Sequence, residues 1–488
     1  MRSQTLLTLC CLAMINTASA GNLTQKNNEK TTAVIAKVVE AYGGSEVLAS
    51  LDSVIVEHQT INVAVDQSPA TEPPWARNQA AGISAIDLGD SAFATINAGE
   101  GVGFEFHNAT VINGDESFQL DYRAGLARPI ESPNFDQSSG PFVRVTPALL
   151  VHQLQNHART AHHLGVVKHD DRKHDVIAFS MSVGPAISLY IDRETHLITH
   201  SERVIPGFGL IGYEFRDYET VDGIPFNKNF VLYQNGELAM ERKNLVTKVN
   251  ASIAEHLAVS PRLERTAALQ PDPMSRQRLG EGVHLIGGSG TYGLFIEMED
   301  HVIAVGGTGG ASERIAQLRE VTDKPIRYGV LTHHHADHLF AVPDYADADI
   351  AIVTATAHKG VVTAAVGDRK AKIKTVEKRM SLSDEQRRVE VIDIGPTAHT
   401  EHLLVVWLPD ERILFEADHF SMPLNGPAGP AVSGTRTFAE ALIRHDLAPA
   451  IIVSAHSPRP GTMADLEAAL NRPVADTPMI GAATSRAF

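Results

Sequence analysis

The spacing of apolar residues changes part-way along the chain, and that change restricts the architectures open to it. From Ser53 onward apolar residues alternate, as in Val54/Val56 and Ile61/Val63/Val65, and similar runs recur at residues 93–96, 176–181, 188–191, 210–215 and 230–233. Alternation sends successive side chains to opposite faces, the pattern of half-buried antiparallel strands. Turn pairs such as Asp222-Gly223 separate the runs. A helix is expected at residues 31–42, with Val34, Ile35, Val38, Val39 and Tyr42 on one face and Gly43-Gly44 as its stop. Another is expected at 146–163. The stretch 257–278 sets Pro261, Pro271 and Pro273 among charges without any period, which reads as a linker. Beyond Gly282, short apolar runs at 283–286, 294–297, 302–305, 328–331, 350–354, 389–394, 403–407, 412–415 and 450–453 alternate with helical patterns such as 312–321. Such interleaving indicates a layered α/β arrangement. The expectation is an α+β protein of two domains: mostly antiparallel β with few helices over 21–257, a linker at 258–278, and a layered domain over 279–488.

A chain of 488 residues exceeds one ordinary core. Residues 1–20 read as an export signal, with Arg2 as basic flank, an apolar stretch at 6–15 and Ala18-Ser19-Ala20 as a small-residue site for cleavage after Ala20. That stretch has half the roughly 20 residues a membrane span requires. Cys10 and Cys11, the chain's only cysteines, fall inside the signal, so the processed chain would have neither thiol nor disulfide. A periplasmic or secreted location follows as an expectation. The formal charge of −16 repels phosphate backbones and anionic headgroups, so a small-molecule substrate is expected, with no nucleic acid and no membrane span.

The chemistry-bearing feature is the run His333, His334, His335, Ala336, Asp337, His338. In an extended segment alternate residues face the same way, so His333 and His335 can hold one ion, while Asp337 and His338, where the chain turns, can face a second. Three later residues each sit just past an apolar strand: His399 after 389–394, Asp418 after 412–415 and His456 after 450–453. Sites in layered folds assemble at such strand ends, where a rigid element carries a free loop. His419, beside Asp418, is a candidate proton donor or substrate contact in the same pocket. His334 and His358 are read as structural. In the first half His152, His157, His162, His163, His169 and His174 lack a ligand spacing and are read as surface or helix-face residues.

With these residues in this order, the region from about Gly282 to Leu470 resembles the metallo-β-lactamase superfamily, whose HxHxDH motif appears as His333-x-His335-x-Asp337-His338. The resemblance implies an αββα sandwich, one divalent metal on His333, His335 and His399, another on Asp337, His338 and His456, and Asp418 bridging both. Zinc suits these ligands first, with iron or manganese as alternatives. The chain departs from the family where an Asp is usual, in Val305-Gly306-Gly307-Thr308, and where a Gly usually follows the last histidine, here Ser457. Gly306-Gly307-Thr308-Gly309-Gly310 lacks the Lys-Ser/Thr of a phosphate loop and reads as a turn. In the first half, Tyr190-Ile191-Asp192 with Leu197, and the segment 218–225, resemble the curved β half-barrels of periplasmic lipoprotein carriers, implying a concave apolar surface for a lipid-like molecule.

The expected activity is that of an exported dinuclear metal-dependent hydrolase of a small ester, lactone or thioester, with Asp337 holding the nucleophile and accepting its proton. A β-lactamase is the nearest rival, but β-lactamases of this superfamily generally lack the bridging carboxylate that Asp418 supplies. Lactonases often carry a Tyr shortly after that position, where this chain has His419, Phe420 and Ser421. Phosphodiesterase or sulfatase activity, a persulfide-oxidising iron enzyme, and a periplasmic binding protein with a structural metal domain are the other readings.

Overall fold

The computed structural model describes the backbone of residues 6–206 and 208–475, and side chains from residue 23 onward. The side chains of the export signal expected at 1–20, those of Cys10 and Cys11 included, and the backbone of its first five residues lie outside what is so described. The structure is mixed α+β, with one large sheet in the first half and a two-sheet sandwich in the second. Among the described residues no helix is long and apolar enough to cross a membrane.

The alternating runs of the first half become strands of one sheet, fourteen among the described residues. Ser53–Val63 lies at its middle, antiparallel to Arg77–Asp87 on one side and to Glu237–Val249 on the other. One face is apolar and is covered by the chain's own helices. Val34, Val38 and Val39 of the helix Leu6–Ala41, and Leu149, Leu150 and Leu154 of the helix Pro147–Asn156, share a buried cluster with Phe93, Phe179, Leu189, Phe226 and Phe230. Gly43 ends the first helix at φ +97°, and a Cβ there would meet the Gly223 carbonyl at 2.9 Å, so the glycine stop and the Asp222-Gly223 turn are packed on each other.

The helix expected at 146–163 is shorter. Pro147 occupies its first turn and it ends at Asn156, followed by the single 3₁₀ turn Ala158–Thr160 and the strand His162–His169. The reason is local: past Leu154 the apolar face would continue only through the small residues Ala158 and Ala161, and His163 bonds Asp175 across the hairpin at 2.7 Å. A further helix, Phe135–Arg144, precedes it, started by the Asn134 side chain accepting from the Gln137 amide. His163 and His174 are buried rather than surface residues. Residues 275–278, read as the linker's end, belong to the strand Ser275–Gly280 paired with Val283–Gly288.

The second half stacks seven strands on five among the described residues. In the seven-stranded sheet Val302–Val305, Ile326–Val330, Ala351–Ala355 and Ile373–Val376 run parallel; in the other, Ile413–Glu416 and Ile451–Ser454 do. Leu285, Leu294, Val330 and Val353 pack with Val391, Val405 and Leu414 between the sheets, and Phe438, Leu442 and Leu466 of the helices Ser433–Arg444 and Met463–Asn471 join that cluster. On the far side Phe295, Val302 and Ile352 meet Leu318, Tyr345 and Val362 of three further helices. The layers are helix, sheet, sheet, helix.

Candidate metal centre

The strand Ile326–Val330 is buried between two parallel neighbours, and the chain leaves its end at Leu331. His335 is still extended (φ −59°, ψ 144°), then the 3₁₀ turn Ala336–Leu339 reverses direction. His333 and His335 therefore project together, their rings 4.4 Å apart, while the turn presents Asp337 and His338 alongside. Asp418 follows the end of Ile413–Glu416, His456 follows Ile451–Ser454, and His399 follows the loop after Glu390–Asp393.

These seven side chains converge in two groups, His333/His335/His399/Asp418 and Asp337/His338/His456, with the ligand atoms of each group within 4.8 Å of one another. Asp418 divides its carboxylate between them. Its Oδ2 lies 2.9 Å from His399 Nε2 and 3.3 Å from His333 Nε2, and its Oδ1 lies 3.0 Å from His338 Nε2 and 3.3 Å from His456 Nε2. Asp337 Oδ2 is 3.2 Å from His338 Nε2 and 3.5 Å from His456 Nε2.

The outward ring nitrogens test whether a cation fits. His335 Nε2 donates to the Ser68 carbonyl at 3.0 Å, His399 Nδ1 to Val102 at 2.7 Å and His456 Nδ1 to Gly290 at 3.0 Å. Each bond fixes the tautomer that turns a lone pair inward. Nδ1 of His335 is buried with no hydrogen-bond partner. Converging lone pairs and carboxylate oxygens, with an orphaned ring nitrogen among them, suit a divalent metal. The electrostatics agree. Burial pulls His333 well below its ordinary value and His335 down to about 3, with the charge of neighbouring histidines adding to both. Burial works against Asp418, yet His338, His333 and His399 hold its carboxyl well below the usual range. Burial would also lower His338, but Asp418 and Asp337 push it up to about 10, so a cation entering here displaces a proton from that ring.

Residues 295–475 match the family model of the metallo-beta-lactamase superfamily. That region of the chain is a metallo-beta-lactamase superfamily domain. No curated protein matches the chain. Among solved structures, the DIM-1 metallo-beta-lactamase is 19% identical with a TM-score of 0.34, over 41% of this chain and 96% of its own. A metallo-beta-lactamase from Pontibacter korlensis is 18% identical with a TM-score of 0.33, over 40% and 96%. Rubredoxin oxygen:oxidoreductase from Desulfovibrio gigas is 16% identical with a TM-score of 0.33, over 40% and 60%.

The superfamily domain does not complete its centre alone. The loop between Ser53–Val63 and Arg77–Asp87 of the first sheet reaches it: Gln67 Nε2 donates to Asp337 Oδ1 at 2.9 Å, Ser68 receives His335, and the Ala70 carbonyl receives His334 at 3.1 Å. The hairpin after Ala92–Gly101 supplies Val102 and Gly103, whose carbonyl accepts from the Gly434 amide at 2.7 Å. None of Gln67, Ser68 or Val102 stands out in the sequence, because nothing local marks a loop that serves a site about 270 residues away.

His419 does not face the pocket. Its side chain is 0% exposed, lying behind His399 with Nε2 2.9 Å from Thr397 Oγ1 and its amide bonded to the buried Glu416. The ring has no exposed surface, and its contacts are with Thr397 and His399. The rings of His334 and His358 lie 4.7 Å apart, tilted by 50°, and neither belongs to a ligand group. The two family departures have local causes. A Cβ at Gly307 would meet the His338 carbonyl at 1.8 Å, so the strand-end turn accommodates the ligand-bearing turn backbone to backbone. Ser457 accepts from the Met422 amide at 2.8 Å and donates to the Arg459 carbonyl at 2.8 Å, tying down the loop after His456.

Proposed function

We propose that the chain is an exported hydrolase of a small ester, lactone or thioester, processed after Ala20 and working with two divalent ions, zinc first. The observation that carries this reading is the split of the Asp418 carboxylate, one oxygen toward His333 and His399 and the other toward His338 and His456. A carboxylate so divided is a ligand for two ions, and it favours the lactonase-like and glyoxalase-like branches over β-lactam opening.

Ions held there supply Lewis acidity and lower the pKa of water toward about 7. The side chains determine the direction of approach. His333, His335 and His338 are fully buried, whereas Asp337 and His456 keep 39% and 35% of their side-chain surface, so a substrate enters over those two. Gln67 holds Asp337 Oδ1, which keeps the carboxylate aimed at the cleft, where it orients the attacking water and accepts its proton. A lipid-like ligand on the first sheet has no such support, since the sheet's apolar face is filled by the chain's own helices.

The test is metal analysis joined to a panel of chromogenic lactone, thioester, β-lactam, phosphodiester and sulfate ester substrates. The reading expects about two equivalents of metal, turnover on lactone, ester or thioester, and a loss of roughly 100-fold or more in kcat/KM for Asp337→Ala. Protein purified without near-stoichiometric metal, or activity untouched by Asp337→Ala, overturns it. Efficient cephalosporin turnover shifts the reading to a β-lactamase. A single iron with oxidation and no hydrolysis shifts it to a persulfide-oxidising iron enzyme.

A further inference from the structure

The first sheet holds another convergence of ligand-type side chains, far from the centre described above in sequence and on different elements. His200 and Glu214 face each other on the paired strands Ile198–Ile205 and Gly209–Val221, and the His169 ring at the end of His162–His169 lies 4.5 Å from that of His200. One ligand atom from each of His169, His200 and Glu214 lies within 4.8 Å of the others.

The hydrogen bonding in this cluster is incomplete in one direction. His169 Nε2 and His200 Nδ1 are both buried with no hydrogen-bond partner, and His200 is only 9% exposed. A buried ring nitrogen without a partner is costly unless something fills its lone pair. The opposite sides of His200 and Glu214 face charged neighbours. His200 Nε2 lies 3.7 Å from the Glu202 carboxylate, which is itself held by the Tyr190 hydroxyl at 2.7 Å. Arg216 binds Glu214 Oε2, which leaves Oε1 for another partner. Glycine at 212 makes room: a Cβ there would lie 3.2 Å from the His200 ring. Beside the cluster is a cavity of about 140 Å³ bordered by His169, His174, Thr199 and Glu214, enough for a water to complete a coordination sphere. The nearby cation Arg172 is committed to Asp192 at 2.7 Å.

We propose that His169, His200 and Glu214 form a further metal site, binding a zinc-class divalent ion through two imidazoles and one carboxylate with a solvent position open to the adjacent cavity. Two nitrogens and a carboxylate oxygen are the donor set that zinc and its first-row neighbours take with three protein ligands. The site is separate from the proposed hydrolytic centre, and its occupancy does not depend on what that centre hydrolyses.

The full chain is stripped with a chelator, titrated with Zn²⁺, and its bound zinc counted by mass spectrometry alongside His169→Ala and Glu214→Gln. The unmodified chain takes up about one equivalent more than either variant, as expected for one lost site. His163→Ala, whose ring is committed to Asp175, keeps the full count. In parallel, amide hydrogen exchange on the unmodified chain slows at residues 169–174 and 198–216 when Zn²⁺ is added beyond the amount that fills the His333 centre. Equal zinc content in the unmodified chain and both variants overturns the proposal. If a variant loses more than the one equivalent, the exchange measurement decides: unchanged exchange at those residues overturns it and slowed exchange sustains it. Neither readout requires any hydrolytic activity, so a wrong substrate class leaves the result intact.

Discussion

Gln67 contributes one hydrogen bond, and that bond orients the carboxylate proposed to handle the reaction's proton. Removing it frees Asp337 Oδ1 without touching any ligand. Gln67→Ala is expected to weaken metal binding about 10- to 100-fold, the usual cost of losing such an outer partner, while leaving the fold intact; chelator competition measures it. His358 carries a pH prediction. Burial, aided by the charges of His334 and His402, lowers its pKa from 6.5 to about 3. Between those values the unfolded chain binds a proton that the folded chain refuses, so this contribution is fully present above about 6.5 and shrinks as the pH falls toward 3. Urea unfolding from pH 7 to 4 should therefore show a stability loss that is shallower in His358→Asn. An equal slope in both proteins would remove the assignment.

At the scale of elements, the deciding pieces are two connections of the first sheet: residues 64–76, and the turn at Val102-Gly103. Gly103 has φ +85°, and a Cβ on it would lie 2.9 Å from the Cβ of His399. Gly103→Ala is expected to cost about 1–2 kcal/mol from the left-handed backbone alone, and to displace His399 enough to weaken metal binding as well. Thermal unfolding and zinc affinity report the two effects separately. The strands of both halves were legible because period-two alternation and short apolar runs are burial patterns written into local sequence. The end of the helix expected at 146–163 was not. The helix stops at Asn156, and His163 pairs with the Asp175 carboxylate on the next strand.

For the whole molecule, the bonds from Ser68 and Val102 to His335 and His399 make the two halves energetically dependent on each other through the centre. Metal should therefore slow amide exchange at residues 64–76 and 101–104 of the first sheet as well as in the sandwich. Exchange there that ignores metal would show that the loops merely abut the site. The same coupling gives the first sheet a part in the proposed chemistry that needs no ligand of its own, consistent with its apolar face being filled by helices.

The sequence by itself determined the layered second half and the seven ligand-type residues, because a binding set built at strand ends leaves a fixed order of motifs beyond apolar runs. Only the tertiary structure decided two things. His419 packs against His399 with no exposed surface, and two loops of the first sheet supply carbonyls that aim His335 and His399. Backbone carbonyls carry no residue identity, and a histidine's direction depends on what packs against it, so neither can be read from residue types along a chain.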